Sequence, residues 1–258
     1  RCRLGEWRSA ARRAAAACAR DYTRRLTADA DDLAGGDVPW IVTGHQPALF
    51  HPGVWAKNLA CRGLADRYAG VAINLIVDND LIATTALAVP RGPRSAPRLE
   101  LVPFLPPQSP QPWEEVFVTD PARFAAAGSH AAETLSAEWG YQPVITDVWR
   151  DAVASDGRMR LADRFARMRA LQERRWGLGT WELPLSRLQE TDAFRWFVAI
   201  LLAEAGRFRA IHNQVLDDYR LRNRVRSRSH PVPELRQRDD WIEAPFWAWR
   251  VDDATRRP

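Results

Sequence analysis

Between Gly5 and Leu33, alanines and arginines recur at helical spacing, with Trp7, Ala11, Ala14, Ala15, Cys18 and Tyr22 on or near one face. The pattern predicts a helix ended by Ala34-Gly35-Gly36. Trp40-Ile41-Val42-Thr43 is a short β-branched run behind Asp37-Val38-Pro39, hence a buried strand, and Gly44 ends it. Pro52-Gly53 introduces a second helix, from Val54 to Tyr68, that closes at Gly70. The run Val71–Val77 predicts another buried strand, stopped by Asp78-Asn79-Asp80. Strand, helix and strand within about forty residues make a βαβ unit, which implies a parallel sheet with a right-handed crossover.

Strands are also predicted through Ile82–Val89 and around Arg98–Val102, before a Pro-rich surface connection at Pro103–Pro112. Helical patterns then dominate, at Pro121–Glu138, Asp147–Ala154 and Arg158–Trp176. Glu182-Leu183-Pro184-Leu185 resembles a short strand. Thr191 can cap an apolar helix running to Phe208, with Phe194, Phe197, Ile200, Leu201 and Ala205 toward a core. Pro231–Trp249 is rich in Pro and Trp and is expected to be irregular. The fold class read from this order is α/β: a Rossmann-like parallel-sheet core at 1–118, followed by a mainly helical lobe at 119–258. One continuous domain is the alternative.

Composition changes that picture little. Hydrophobic residues make up 46% and charged residues 27%, as in ordinary globular proteins. No stretch approaches the ~18 uninterrupted apolar residues of a membrane span. Cys2, Cys18 and Cys61 lie far apart, with no C-x-x-C pair, which argues against a disulfide framework or structural zinc and for the cytoplasm. Arg1-Cys2-Arg3-Leu4 carries neither an initiator Met nor a signal core, so the chain reads as a segment of something longer.

Charge matters at one position. The net charge is +5, but it is made of 36 arginines and a single lysine, Lys57. Under so strong a preference for Arg, a surviving Lys points to a place that needs a compact ammonium, with chance survival as the alternative.

Lys57 falls in the densest polar stretch of the chain, Thr43-Gly44-His45-Gln46-Pro47-Ala48-Leu49-Phe50-His51-Pro52-Gly53-Val54-Trp55-Ala56-Lys57-Asn58. That stretch leaves the carboxyl end of the first parallel strand and enters a helix N-terminus. Ligands of α/β folds, anions above all, bind there. His45 and His51 are candidate acid/base groups or phosphate donors. Thr43, Gly44, Gln46, Gly53, Lys57 and Asn58 are candidate cofactor contacts, and Trp55 either stacks on a flat ring or fills the core. Asp78 and Asp80 end the neighbouring strand and are candidates for a catalytic role or for holding a substrate amine or ribose; Asp-Asn-Asp is also ordinary turn chemistry. A metal held by His45, His51, Asp78 and Asp80 is the less favoured alternative.

The run Thr43–Lys57, followed one strand later by Asp78–Asp80, resembles the N-terminal core of the bacillithiol-biosynthesis cysteine-adding enzymes. Thr43, Gly44, Gln46, Leu49 and Phe50 match that family's T-G-Q-Q-x-G-L-[FL] loop, and Asp78 and Asp80 match its acidic strand end. His45, Pro47-Ala48 and His51-Pro52-Gly53 depart from it. The His51-Pro52-Gly53 turn is also similar to the H-x-G-H signature of the nucleotidylyltransferase superfamily, with Val54 in place of the second His. These resemblances imply a Rossmann-like fold, a nucleotide cofactor such as ATP or ADP, a small-molecule substrate, and ligase or transferase chemistry of the thiol-biosynthesis kind. The alternatives are a nucleotidylyltransferase-like enzyme and a non-catalytic nucleotide- or sugar-binding module.

Two features of the second half complete the reading. Arg220, Arg222, Arg224, Arg226 and Arg228 alternate, which on a strand would make an anion-binding stripe. Stacking aromatics do not interleave with them, so nucleic acid is not the expected partner. Trp241, Phe246, Trp247 and Trp249 are expected to pack a core rather than to form a platform for a sugar or base.

Overall fold

The structure is a computed structural model that describes residues 2–28, 38–48, 52–108, 110–155 and 157–248. They fall into two compact units, residues 12–189 and residues 2–11 with 190–248.

In the first unit the βαβ pattern is realised as β1 (Trp40–His45), α2 (Pro52–Arg67) and β2 (Val71–Ile76), with α1 (Cys2–Thr27) before them. β1 and β2 pair in parallel from Trp40↔Val71 to His45↔Ile76, so β1 runs two residues beyond Thr43 and through Gly44. A Cβ on Gly44 would lie 3.1 Å from the Leu75 carbonyl oxygen, and a glycine lets the two strands pass this closely. Helix α1 closes at Ala28, whose φ is +64°, short of Leu33; the expected stop at Gly35-Gly36 lies outside the described residues.

The sheet draws its third strand from beyond residue 118. β5 (Trp181–Pro184) pairs in parallel with β2, giving the order β1-β2-β5. β2 is therefore central, which is why its sequence is an almost continuous apolar run. Ala15 and Ala19 of α1 pack with Val71, Ile73, Trp181 and Leu183 on one face, and Cys61 and Ala65 of α2 pack on Ala72 and Ile41 on the other.

The other strands do not extend this sheet. β3 (Ala86–Arg91) and β4 (Arg98–Pro103) form a separate antiparallel hairpin, and residues 82–85 stay outside it. The architecture is thus mixed α/β with a small three-stranded parallel sheet. The inward side of the hairpin (Leu87, Val89, Val102) meets α3 (Pro121–Trp139), α4 (Ile145–Val153) and α5 (Leu161–Arg175) in an aromatic core of Phe104, Trp113, Phe124, Trp149 and Phe165. Asp120 caps α3 by accepting from the Arg123 N–H at 2.9 Å, and Gly140 in the left-handed region ends it. Helix α5 is the wall between the two layers. Leu161, Phe165 and Met168 face the aromatic core, while Ala166 and Ala170 meet Tyr22, Leu26 and Ile76.

In the second unit, α7 (Asp192–Ala203) begins at Thr191, whose hydroxyl accepts from the Phe194 N–H at 3.3 Å, as the sequence suggests. It stops at Glu204 instead of reaching Phe208, and α8 (Ala205–Arg222) takes over. No residue of α7 is buried, so Phe197 and Ile200 do not face the core expected of them. The tail contains a minimal hairpin, β6 (Gln237–Arg238) with β7 (Trp241–Ile242). Trp241 and Trp247 are 81% and 83% exposed, contrary to the packing role expected; Trp249 lies outside the described residues. The arginine stripe does not form, because Arg220 and Arg222 belong to the end of α8. Arg220 instead folds onto the tail, donating to the carbonyls of His230 and Val232 and pairing with Glu234 at 2.6 Å.

Among the described residues no helix is long and apolar enough to cross a membrane.

Candidate functional site at the carboxyl edge of the sheet

Parallel pairing puts the ends of β1, β2 and β5 on one edge, and each end delivers polar groups there. Pairing outlasts the strands: the Val77 N–H donates to the His45 carbonyl at 3.0 Å, which holds the two exits side by side. Across them, Gln46 Nε2 donates to Asp80 Oδ2 at 3.0 Å. The other Asp80 oxygen accepts from the Leu81 N–H at 2.8 Å, so the carboxylate is held from both sides. Lys57, one turn into α2, donates to the Gly44 carbonyl at 3.3 Å and lies over the end of β1. His45 Nδ1 is 3.1 Å from the Gln46 carbonyl oxygen. A carbonyl can only accept, so Nδ1 carries a proton in this arrangement.

His45, Gln46, Lys57 and Asp80 thus share the edge, with Gly44 beneath them and Gly53 in the first turn of α2. The remaining candidates are placed differently. Asp78 is 3% exposed and accepts from the Ser186 N–H at 3.0 Å and from the Ser186 hydroxyl, fastening the short α6 (Leu185–Leu188) to the end of β2. Burial pushes its carboxyl above the usual range, against the bonds from Ser186. Thr43 is half-buried within β1, paired in register with Asn74. Trp55 meets Trp176 edge to face at 4.7 Å. His51, Leu49 and Phe50 lie outside the described residues. Among the described residues no three His, Cys, Asp or Glu side chains gather as a metal site.

Asn58 faces inward, 100° around the helix from Lys57. It is 1% exposed and donates to Glu173 Oε1 at 2.6 Å, and this bond opens onto a buried ionic cluster. Arg169, one turn before Glu173 on α5, pairs with Glu182 of β5 and has its Nε 4.0 Å from Glu173 Oε1. Glu182 also accepts from Asn74 Nδ2 at 2.9 Å. Thr43, Asn74 and Glu182 are register partners, and so form one polar row across the sheet, two residues before the strand ends at His45 and Pro184. Sequence reasoning missed Arg169, Glu173 and Glu182. The signal lay in a single polar residue inside each of two apolar runs, Asn74 in Val71–Val77 and Glu182 in Trp181–Leu185.

Burial and the charge of Glu182 push Glu173 up to about 7. A carboxyl raised in the folded state binds more protons there than in the unfolded chain. Its contribution is therefore complete below the ordinary Glu range and is lost as pH rises towards about 7. The loss is on the order of 3 kcal/mol. Glu173→Gln, which mimics the protonated acid, is expected to flatten the dependence of urea-unfolding stability on pH between about 5 and about 8. A slope as steep as the parent's would refute the assignment.

Comparison with protein-family models, curated proteins and solved structures gives no match.

Proposed function

We propose that the protein is a small-molecule ligase or transferase that binds a nucleotide or another phosphate-bearing substrate at the carboxyl edge of the sheet. The observation that carries this reading is the Gln46–Asp80 bond across the β1 and β2 exits, with Lys57 beside it over Gly44. A parallel-sheet edge next to a helix N-terminus favours anions, because the positive end of the helix points to it. Lys57 adds a point charge that a phosphate can take over from the Gly44 carbonyl. His45 accepts a proton from an attacking amine or thiol. Asp80, aligned by Gln46, holds that substrate amine or a ribose hydroxyl. Asp78 and Asn58 support this edge from within and touch no substrate. The resemblance to cysteine-adding enzymes supports Gln46 and Asp80 at this edge, whereas His45 departs from that family's pattern.

The test is a thermal-shift panel of ATP, ADP, CTP, UDP-sugars and free sugars, with and without magnesium, on the parent and on Lys57→Ala. A nucleotide well above its dissociation constant is expected to raise the melting temperature by roughly 5 °C in the parent, and far less in the variant. No response to any nucleotide sinks the reading.

A further inference from the structure

The hairpin β3–β4 stands as a two-stranded sheet, so β4 presents a free edge. Thr85 accepts from the Phe104 N–H at 2.9 Å, and this bond sets the phase of the ladder. The bonded pairs are then Leu87↔Val102, Val89↔Glu100 and Arg91↔Arg98, whereas Leu99 and Leu101 direct N–H and C=O away from β3. Pro90 and Pro103 fall in the same outward phase, where the ladder asks for no N–H. Among the described residues, no backbone group of Leu99 or Leu101 that points outward has a hydrogen-bond partner. The two side chains are 72% and 66% exposed. Such an edge is a template for another extended chain.

The charges along this edge call for a carboxylate. Arg91 and Arg98 stand opposite each other in the ladder, a pair of like charges. Arg91 is held by Glu138 at 2.8 Å and by Glu100 at 3.3 Å, while Arg98 has no ion pair among the described residues. Arg98 lines a groove of about 740 Å³ with Leu99, Glu100 and Glu138. An extended chain that carries leucines and a carboxylate fits this edge, and β4 is itself such a chain. Two copies of β4 can run antiparallel with Leu99 opposite Leu101 in both directions, which uses every outward N–H and C=O of the two leucines in each copy. The leucines then meet in cross-strand pairs on the exposed face. Glu100 faces its counterpart on the twofold axis, and Arg98 of the second copy is its diagonal neighbour, within reach of a long side chain. Pro97 and Pro103 flank the two leucines, so a slip of two residues sets a leucine opposite a proline and leaves an acceptor without its donor.

We propose that β4 is the contact surface of a homodimer, in which two hairpins join edge to edge into one four-stranded antiparallel sheet. A second copy is favoured over a foreign strand because it brings Glu100 to Arg98 and has its prolines where the pairing must end. Pro90 interrupts the outward edge of β3, so assembly stops at two copies. The contact is short, and the dimer is accordingly a weak one. It does not depend on what binds at the carboxyl edge of the parallel sheet.

The test is sedimentation velocity of the whole protein between about 2 and about 200 μM, where a reversible dimer with a dissociation constant on the order of 10–100 μM is expected. Leu101→Pro deletes one outward N–H without touching a bond to β3, and is expected to be monomeric throughout while melting close to the parent. Arg98→Glu leaves the backbone unchanged and is expected to weaken the dimer by roughly tenfold, which decides the matter even if the proline variant fails to fold. Oxidation of Glu100→Cys is expected to give a disulfide-linked dimer not seen in the parent, because position 100 meets itself on the axis. Arg98→Cys, which faces Val102 of the second copy, is expected to link far less. A monomer at every concentration, a dimer unchanged in Leu101→Pro or Arg98→Glu, growth beyond two copies, or equal linkage at positions 98 and 100 would each overturn the proposal.

Discussion

Replacing Gly128 by alanine is expected to cost at least about 3 kcal/mol, although alanine is the better helix former by about 1 kcal/mol. Gly128 lies in the middle of α3, and a Cβ there would stand 2.2 Å from both Cγ and Cδ1 of Trp149 and 2.8 Å from its Cβ. The indole has nowhere to go. It is 3% exposed, stacks on Phe124 at 4.7 Å, meets Phe104 and Phe165 at 5.9 Å each, and donates from Nε1 to the Phe124 carbonyl at 2.6 Å. Helix propensity and packing thus predict opposite signs, and contact at such a distance decides for packing. The melting temperature should fall by roughly 6–12 °C, with urea unfolding giving the free energy. Trp149→Leu relieves the clash while creating a cavity. The double variant should therefore be less damaged than the two single losses added together. A Gly128→Ala protein as stable as its parent would show that α3 and α4 are not packed this closely.

Nothing in the sequence announces that contact, because Gly-Ser-His inside an Ala-rich helix reads as a weak spot in propensity. The same limit runs through the fold. The units β1, α2 and β2 were legible because apolar runs and their Gly and Pro punctuation act over a few residues. The partner of β2 was not. Trp181–Pro184 reads as a short strand, but its pairing with residues more than a hundred positions earlier depends on α1 and α5 packing around it. Hairpin β3–β4 looked like more of the same sheet, since strand patterns carry no information on which sheet they join. At the site, local chemistry placed His45, Gln46, Lys57 and Asp80 on one edge, because strand ends in a βαβ unit must adjoin. Asn58 and Asp78 sit among those residues in sequence, yet a turn of helix or the start of α6 directs them inward.

Arg169→Met is expected to be the most damaging single change in the sheet layer, costing about 3–5 kcal/mol near neutral pH. Methionine matches the length of the arginine stem and fills the same space, so the loss is not one of packing. It comes from charge. Arg169 is 3% exposed and stands against Glu182, which is fully buried in β5, and against Glu173. Without the guanidinium, two carboxylates are left in a low-dielectric interior with neutral partners such as Asn58 and Asn74. Either they take up protons or the strand that carries Glu182 separates from β2. Adding Glu182→Gln removes one of the stranded charges and keeps an acceptor for Asn74. Arg169→Met/Glu182→Gln should therefore recover much of the loss, and a double-mutant cycle should give a coupling well above the ~0.5 kcal/mol of independent sites. The cost should also shrink in acid, where protonated carboxyls no longer need a counter-charge. Urea unfolding of the two single variants and the double variant at about pH 5 and about pH 8 measures each of these. A loss under about 1 kcal/mol at the higher pH would place Arg169 among surface ion pairs, and would mean that water reaches the row of Thr43, Asn74 and Glu182.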